Sequence, residues 1–317
     1  MTHKLRGNLM LLLTAIIWGS SFVAQRAGMD SIGPFTFNGL RSILGGLVLI
    51  PVIFLMMKIN KPVGEEKNRT LEEKKASRKT LIIGGISCGI ALFIASSLQQ
   101  MGLVHTTAGK AGFITALYIV LVPILGLFIG KRVRPIVWIC VLLAVVGLYL
   151  LCISDGFSIG KGDLLVIACA VVFSIHILII DHFSPKVDGV TMSCIQFFVC
   201  GIISIVPMFA LETPNLASIM ECWLPICYAG ILSCGVAYTL QIVAQKNTDP
   251  TIASLLLSLE SVFAVIAGVI ILHEHISSKE LMGCAIMFIA IILAQVPSKA
   301  ELTAAKEARL AVKKENK

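Results

Sequence analysis

The sequence predicts an all-α integral membrane protein with ten transmembrane helices arranged as two inverted five-helix repeats. Of the 317 residues, 57% are hydrophobic and only 14% are charged, with a mean hydropathy of +0.92, whereas water-soluble domains carry about 25% charged residues. The apolar residues form long uninterrupted blocks, and the second half of the chain resembles the first. This composition excludes an ordinary water-soluble enzyme, and it excludes a disordered chain because disorder requires low hydrophobicity.

Ten apolar blocks are long enough to cross a bilayer, which takes about 20 residues rising about 1.5 Å each. They occupy residues 8–26, 34–57, 81–100, 107–129, 135–153, 162–181, 189–211, 223–244, 250–272 and 278–297. The connections are short except for the charged segment 58–80. Lys4 and Arg6 precede the first block, as in a signal peptide. Its apolar run reaches Ala24 without a clear cleavage site, so we expect it to remain as the first transmembrane helix.

The distribution of Lys and Arg predicts the orientation, because these residues stay mainly on the cytoplasmic side of a membrane. With ten spans and a cytoplasmic N-terminus, 21 of the 26 Lys and Arg residues lie in cytoplasmic segments, and only Arg26, Lys161 and Lys279 lie outside. We therefore expect a multi-pass protein of the cell (cytoplasmic) membrane with both termini in the cytoplasm. The net charge of +8 favours contact with anionic lipid headgroups. Nucleic acid is not an expected partner, because no basic patch interleaved with aromatic residues is present.

The second half of the chain repeats the first at fixed separations, a pattern that indicates duplicated units. The most specific matches, at a separation of 142 residues, are Gln99 with Gln241, Thr106 with Thr248 and Gly126 with Gly268. Earlier in the chain the separation is 155, with Trp18 facing Phe173 and Thr36 facing Thr191. The repeat predicts a first unit at 1–154, a second unit at 155–297 and a basic cytoplasmic tail at 298–317. Since each unit has five spans, the second enters from the opposite side, as is typical of secondary transporters with alternating access.

Ionisable groups are costly in hydrocarbon, so those within the spans are candidates for function. Glu260 lies near the middle of the ninth block and must be protonated, paired or hydrated, which makes it the candidate for proton coupling. Arg41 lies within the second block, with Asn38 on the same helical face, and Lys110 begins the fourth block. The expected substrate-binding residues, which converge from several spans, are Trp18, Gln25, Asn38, Arg41, Gln99, Lys110, Tyr118, Tyr238, Gln241 and Glu260.

Motifs for catalysis or metal binding are absent from the sequence. The ten cysteines lie almost entirely in apolar blocks without CxxC spacing, so no metal, cofactor or disulfide framework is expected. An intramembrane enzyme is still an alternative, because Ser254, Ser258 and Ser261 form a stripe that His176 could serve as a base. A flippase for a lipid intermediate is a further alternative.

Four segments resemble the EamA-type branch of the drug/metabolite transporter superfamily. They are WGSSF at 18–22, PFTFNGLR at 34–41, TTAGKAGFITALYIVLVPILG at 106–126 and LESVFAVIAGVIILHE at 259–274. The resemblance covers residues 8–297 and implies ten helices in two inverted repeats, a central substrate cavity and, usually, export of amino acids or related metabolites. The family often has Glu-Pro where this chain has Glu260-Ser261, so the ninth helix lacks the proline that would bend it.

Taken together, these features predict a carrier for a small polar metabolite that exposes a mid-membrane cavity alternately to each side. Arg41 and Lys110 would attract an anionic group through charge-assisted hydrogen bonds. Glu260 would face the substrate amine or exchange a proton. This combination of charges favours an amphoteric solute such as an amino acid.

Overall fold

The structure is a computed structural model that describes residues 3–59, 70–106, 108–152, 160–272 and 277–296, so the predicted tail at 298–317 lies outside the described residues. Within these ranges the regular structure is entirely helical. Among the described residues, eight helical segments are long and apolar enough to cross a membrane, and two shorter apolar helices occupy Pro135–Leu150 and Leu281–Ala294. The prediction of an all-α membrane protein is confirmed, whereas the count of ten spans and the inverted arrangement stay predictions.

The helices follow one another with short connections. The first half contains α1 (His3–Met29), α2 (Pro34–Ile59), α3 (Leu71–Leu103), α4 (Ala108–Thr115), α5 (Tyr118–Phe128) and α6 (Pro135–Cys152). The second half contains α7 (Lys161–Phe183), α8 (Gly189–Leu211), α9 (Leu216–Glu221), α10 (Trp223–Cys227), a π-helical segment (Tyr228–Tyr238), α11 (Thr239–Gln245), α12 (Pro250–Leu257), α13 (Glu260–Leu272) and α14 (Ser278–Gln295).

Two of the predicted spans are interrupted near their middle. The residue pair 116–117 separates α4 from α5, and the pair 258–259 separates α12 from α13. Both breaks contain hydrogen bonds between residues three apart, as where Leu259 N donates to Leu256 O at 3.3 Å, a tightening that interrupts a regular α-helix. The ninth predicted span therefore breaks immediately before Glu260 without a proline.

The eighth predicted span is continuous but changes helix type, from α10 through the π-helical segment to α11. π-helical turns are rare in proteins, and those that do occur are often found at functional sites. This segment packs closely on α2, where a Cβ added to Gly45 would lie 2.5 Å from Cβ of Cys234. A larger residue at position 45 would push the two helices apart.

The remaining packing brings the two halves of the chain together. α2 packs against α8, α3 against α7 and α8, α1 against α13, and α6 against α14. Large apolar side chains such as Phe128, Val206 and Phe209 are exposed, whereas polar side chains such as Gln99 and Gln241 are buried. This distribution suits a molecule whose outer surface contacts lipid.

The long helix α3 extends beyond what a bilayer requires. It has 33 residues, whereas about 20 suffice to span the hydrocarbon. A capping box fixes its start, because Glu73 N donates to Thr70 Oγ1 at 3.2 Å and Thr70 N donates to Glu73 Oε2 at 2.8 Å. Residues 71–80 are rich in Lys, Arg and Glu, so this part of α3 stands in the polar region beyond the hydrocarbon.

Candidate functional site

A central cavity lies among the helices of both halves. Its lining combines aromatic rings, carboxamides, one guanidinium and one carboxyl group. The lining residues are Trp18, Phe22, Gln25, Arg41, Gln99, Thr115, Tyr118, Phe173, His176, Ile177, Ser233, Tyr238, Gln241 and Glu260. Eight of the ten residues expected from the sequence are in this set, and the other two, Asn38 and Lys110, lie behind it or away from it.

The carboxyl group of Glu260 is buried at the break between α12 and α13, with a side chain only 3% exposed. Tyr118, at the corresponding break between α4 and α5, donates its hydroxyl to Glu260 Oε1 at 2.9 Å. No Lys, Arg or His nitrogen of the described residues lies within 4 Å of this carboxyl. Glu260 can therefore meet a cationic substrate group or exchange a proton.

The guanidinium of Arg41 is buried on another wall of the same cavity. Its Nε and Nη2 donate to Asn38 Oδ1 at 3.2 and 3.1 Å, and its Nη1 donates to Gln25 Oε1 at 2.9 Å. Gln100 Nε2 also donates to Gln25 Oε1. All three acceptor contacts are uncharged, and within the described ranges no carboxylate lies within 4 Å of this side chain. The geometry orients a buried cation without neutralising it.

An aromatic group centred on Tyr238 forms a further wall. The Tyr238 ring lies 4.5 Å from that of Trp18 and 6.0 Å from that of His176, and Phe173 makes an edge contact with His176. Among the described residues, Trp18 Nε1, His176 Nδ1 and Gln241 Oε1 are buried without a hydrogen-bond partner. Buried polar atoms are normally satisfied, so these three cavity-lining groups are suited to a polar ligand or to water.

The two residues outside the lining have different surroundings. Asn38 supports Arg41 from behind, and its Nδ2 donates to Ser204 Oγ at 3.2 Å. Lys110 forms an ion pair with Asp163 at 2.6 Å, and that carboxylate also accepts from Thr106 Oγ1 at 2.9 Å. The sequence predicts that Lys110, like Arg41, attracts an anionic group, but in the structure Lys110 pairs with Asp163 of α7 and is not among the described residues that line the cavity.

Several lining residues were not among the expected set. Phe22, Phe173, Ile177 and His176 lie on α1 and α7, and Thr115 and Ser233 contribute small hydroxyls. The repeat held part of this information, because Phe173 and Ile177 stand 155 residues after Trp18 and Phe22. The pairs Gln99 with Gln241 and Tyr118 with Glu260 keep the separation of 142. Four pairs of repeat-related positions thus line one cavity, a signal that no single residue carries.

The serine stripe considered as an enzyme site does not assemble one. Ser254 and Ser258 donate their hydroxyls to backbone carbonyls three residues earlier, and Ser261 donates to Gly112 O at 3.2 Å. His176 Nε2 lies 3.1 Å from Gln196 Oε1. The serine hydroxyls and the imidazole therefore have separate partners, without the nucleophile–base hydrogen bond that acyl transfer uses.

Comparison with known proteins identifies relatives along the whole length of the chain. The EamA-like transporter family matches residues 5–153 and again residues 160–295. An uncharacterized transporter of Archaeoglobus fulgidus is 31% identical over 293 residues, covering 92% of this chain and 86% of the relative. A WAT1-related chloroplastic protein of Arabidopsis thaliana is 26% identical and covers 91% of this chain and 69% of the relative.

A crystal structure of another protein shares the fold, with a TM-score of 0.72 and 19% identity over 91% of this chain and 96% of that one. The family match spans both halves, and the archaeal relative exceeds 30% identity over most of its length. The chain therefore belongs to the EamA-like transporter family of the drug/metabolite transporter superfamily, and it is a transporter and not an enzyme.

Proposed function

We propose that this transporter exports an amino acid or a close derivative across the cytoplasmic membrane, by alternating access to the central cavity. The observation that carries the proposal is the presence of a buried guanidinium and a buried carboxyl in the lining of one cavity, without an ion pair between them. Separate charges of opposite sign suit a solute that carries both charges.

Arg41 is the group that would meet the substrate carboxylate. A guanidinium has five N–H donors, and three hydrogen bonds to Asn38 and Gln25 occupy three of them. A cation buried in the membrane interior is costly unless it is paired. A carboxylate arriving with the substrate would supply that partner through charge-assisted hydrogen bonds.

Glu260 is the group that would meet the substrate amine or carry the coupled proton. Its single hydroxyl donor, Tyr118, leaves the other carboxyl oxygen available toward the cavity it lines. Because this carboxyl is buried at the junction of two helix pieces, a change in its charge alters the electrostatics of both.

The proposed transport cycle uses two inverted five-helix units, at 1–154 and 155–297, with both termini in the cytoplasm. Four pairs of lining residues related by the repeat separations support this arrangement, because rocking of repeats around a shared site is how alternating access operates in inverted-repeat carriers.

The test is transport in proteoliposomes that contain a labelled mixture of amino acids, with and without an imposed pH gradient. We expect saturable efflux and counterflow that Arg41→Gln abolishes, whereas Arg26→Gln, at an exposed arginine paired with Asp30, retains it. Replacement of Glu260 by Gln should remove any dependence on the pH gradient. Correctly folded protein without flux of any amino acid would contradict the proposed substrate class and favour another metabolite or a lipid intermediate.

A further inference from the structure

A basic groove lies at the N-terminal end of α3, remote from the central cavity. Its lining includes four cationic side chains and the apolar residue Leu81. The cations are Lys74, Arg78, Lys186 and Lys246. The groove joins the first half of the chain, through α3, to the second half, through the segments that follow α7 and α11.

Among the described residues that line this groove, one carboxylate is present, and it is already engaged. Asp188 Oδ1 caps α8 by accepting from Thr191 N at 2.8 Å and from Thr191 Oγ1 at 2.6 Å. Lys186 Nζ lies 2.8 Å from His182 Nε2, outside any ion pair with a carboxylate of the described residues. The charges lining the groove therefore sum to an excess of positive charge, which favours an anionic ligand.

The surface of α3 below the groove is apolar along a single ridge. Counting every fourth residue from Lys74 and Arg78 gives Ile82, Ile86, Ile90 and Ile94, all of them exposed. Residues four apart are neighbours on a helix surface, and successive steps of four form a ridge inclined to the helix axis, so two cations are followed on the same ridge by four exposed isoleucines. The isoleucines extend over about 18 Å at about 1.5 Å per residue, close to the depth of one leaflet, about 15 Å.

We infer that the basic groove together with the isoleucine ridge of α3 is a binding site for one anionic phospholipid, with the phosphate among the four cations and an acyl chain along the ridge. A free phosphate would use the groove but not the ridge, whereas a phospholipid uses both. Because the cations come from both halves of the chain, the bound headgroup would bridge them.

The adjacent ridge of α3 offers a matched control. Lys75 and Lys79 are exposed and lie one residue further along the same turns, but they are not part of the groove lining. Their ridge continues through Ile83 to Ser87 and then to Ala91, which is buried. Replacing Lys75 and Lys79 removes the same charge, at the same height above the membrane, from a face without a continuous apolar track.

The experiment measures binding of phosphatidylglycerol to the purified full chain by native mass spectrometry, with phosphatidylcholine as the neutral comparison. We expect wild type to bind one phosphatidylglycerol with clear preference, and Lys74→Gln/Arg78→Gln to weaken this binding about tenfold or more, since each cation near an anionic headgroup contributes substantially. Lys75→Gln/Lys79→Gln should change it by less than about twofold.

Equal weakening by the two double variants would overturn the proposal, because the attraction would then be diffuse. Glycerol phosphate, added at the same concentration as the lipid, should leave lipid binding unchanged. If glycerol phosphate displaced the bound phosphatidylglycerol as effectively as added lipid does, the groove would be a site for free phosphate esters. That result would also overturn the lipid site. Circular dichroism of each variant confirms that the helices are intact.

Discussion

The interrupted segments α4–α5 and α12–α13 have the same backbone design but opposite chemistry at the break. Two residues separate the two pieces in each segment, and the second piece begins with Tyr118 in one segment and Glu260 in the other, 142 positions apart. The hydroxyl donates to the carboxyl across the cavity wall. The repeat therefore determines where the chain breaks, whereas the side chain at the break determines whether that position donates or accepts a hydrogen bond.

Placing a second carboxyl at the first break should have the largest effect. We expect Tyr118→Glu to lower the free energy of unfolding by about 3–5 kcal/mol, because two carboxyl groups would be buried together. The exchange Tyr118→Glu/Glu260→Tyr should recover at least half of that loss, since it restores one donor and one acceptor. Unfolding in detergent, followed by circular dichroism, measures both. An exchange variant as unstable as the single variant would show that the two breaks are not equivalent.

Proline substitution tests where α13 begins. Ser261→Pro should lower stability by only about 1–2 kcal/mol, since Ser261 lies in the first turn, where the proline ring is tolerated. It removes the two hydrogen bonds that Ser261 donates, from Oγ to Gly112 O and from N to Ser258 O, both at 3.2 Å. Val265→Pro, four residues further into the same helix, should cost about 3 kcal/mol or more. Similar losses at both positions would place the start of the helix elsewhere.

The two ends of the α4–α5 segment differ in the ion pairs that connect them to α7. α4–α5 is held to α7 at both ends, by Lys110 with Asp163 at 2.6 Å and by Lys131 with Asp181 at 2.5 Å. Asp163 is nearly buried and accepts two further hydrogen bonds, from Thr106 Oγ1 and Gly160 N, whereas the Lys131–Asp181 pair is more exposed.

Asp163→Asn should therefore lower stability by about 1–2 kcal/mol, and Asp181→Asn by less than about 0.5 kcal/mol, because exposed ion pairs contribute little. Thermal unfolding of the two variants at low and high salt provides the measurement. A larger loss at position 181 would reverse the order of the two ion pairs.

The smallest change in stability is expected at Gln241, which is related by the repeat to Gln99. Gln99 Nε2 donates to Thr115 Oγ1 at 3.2 Å, but Gln241 Oε1 has no partner among the described residues. Gln241→Leu should leave the unfolding free energy within about 0.5 kcal/mol while raising the KM of transport about five- to tenfold. A large loss of stability with unchanged KM would make Gln241 a packing residue.

Much of this molecule could be predicted from its sequence because hydrocarbon restricts what can face it. Apolar blocks about twenty residues long identify membrane helices, and carboxamides within them must turn inward, as Gln99, Gln241 and Gln25 do. The helix breaks could not be predicted in the same way, since they depend on local hydrogen bonds between residues three apart and not on proline.

Two features of the site depended on tertiary contacts. Lys110 follows the expected pattern of an anion attractor, but its partner Asp163 lies 53 residues later and becomes its neighbour only when α4 packs against α7. Thr115 and Ser233 have small hydroxyls that resemble those of serines bonded to their own helix, such as Ser174 with Ala170 O. Their sequence context therefore did not separate cavity-lining groups from helix-packing groups.

The Tyr118–Glu260 contact also bears on how a duplicated protein acquires a polar centre. Two separate copies of one half, assembled as a symmetric dimer, would present the same residue from both sides of a contact on the symmetry axis. The contact would then join two tyrosines or two carboxyls, and never one of each. A donor facing an acceptor at this position requires two halves that differ in sequence, as the two halves of this chain do. That difference gives the central site a direction that a homodimer of identical half-length proteins lacks.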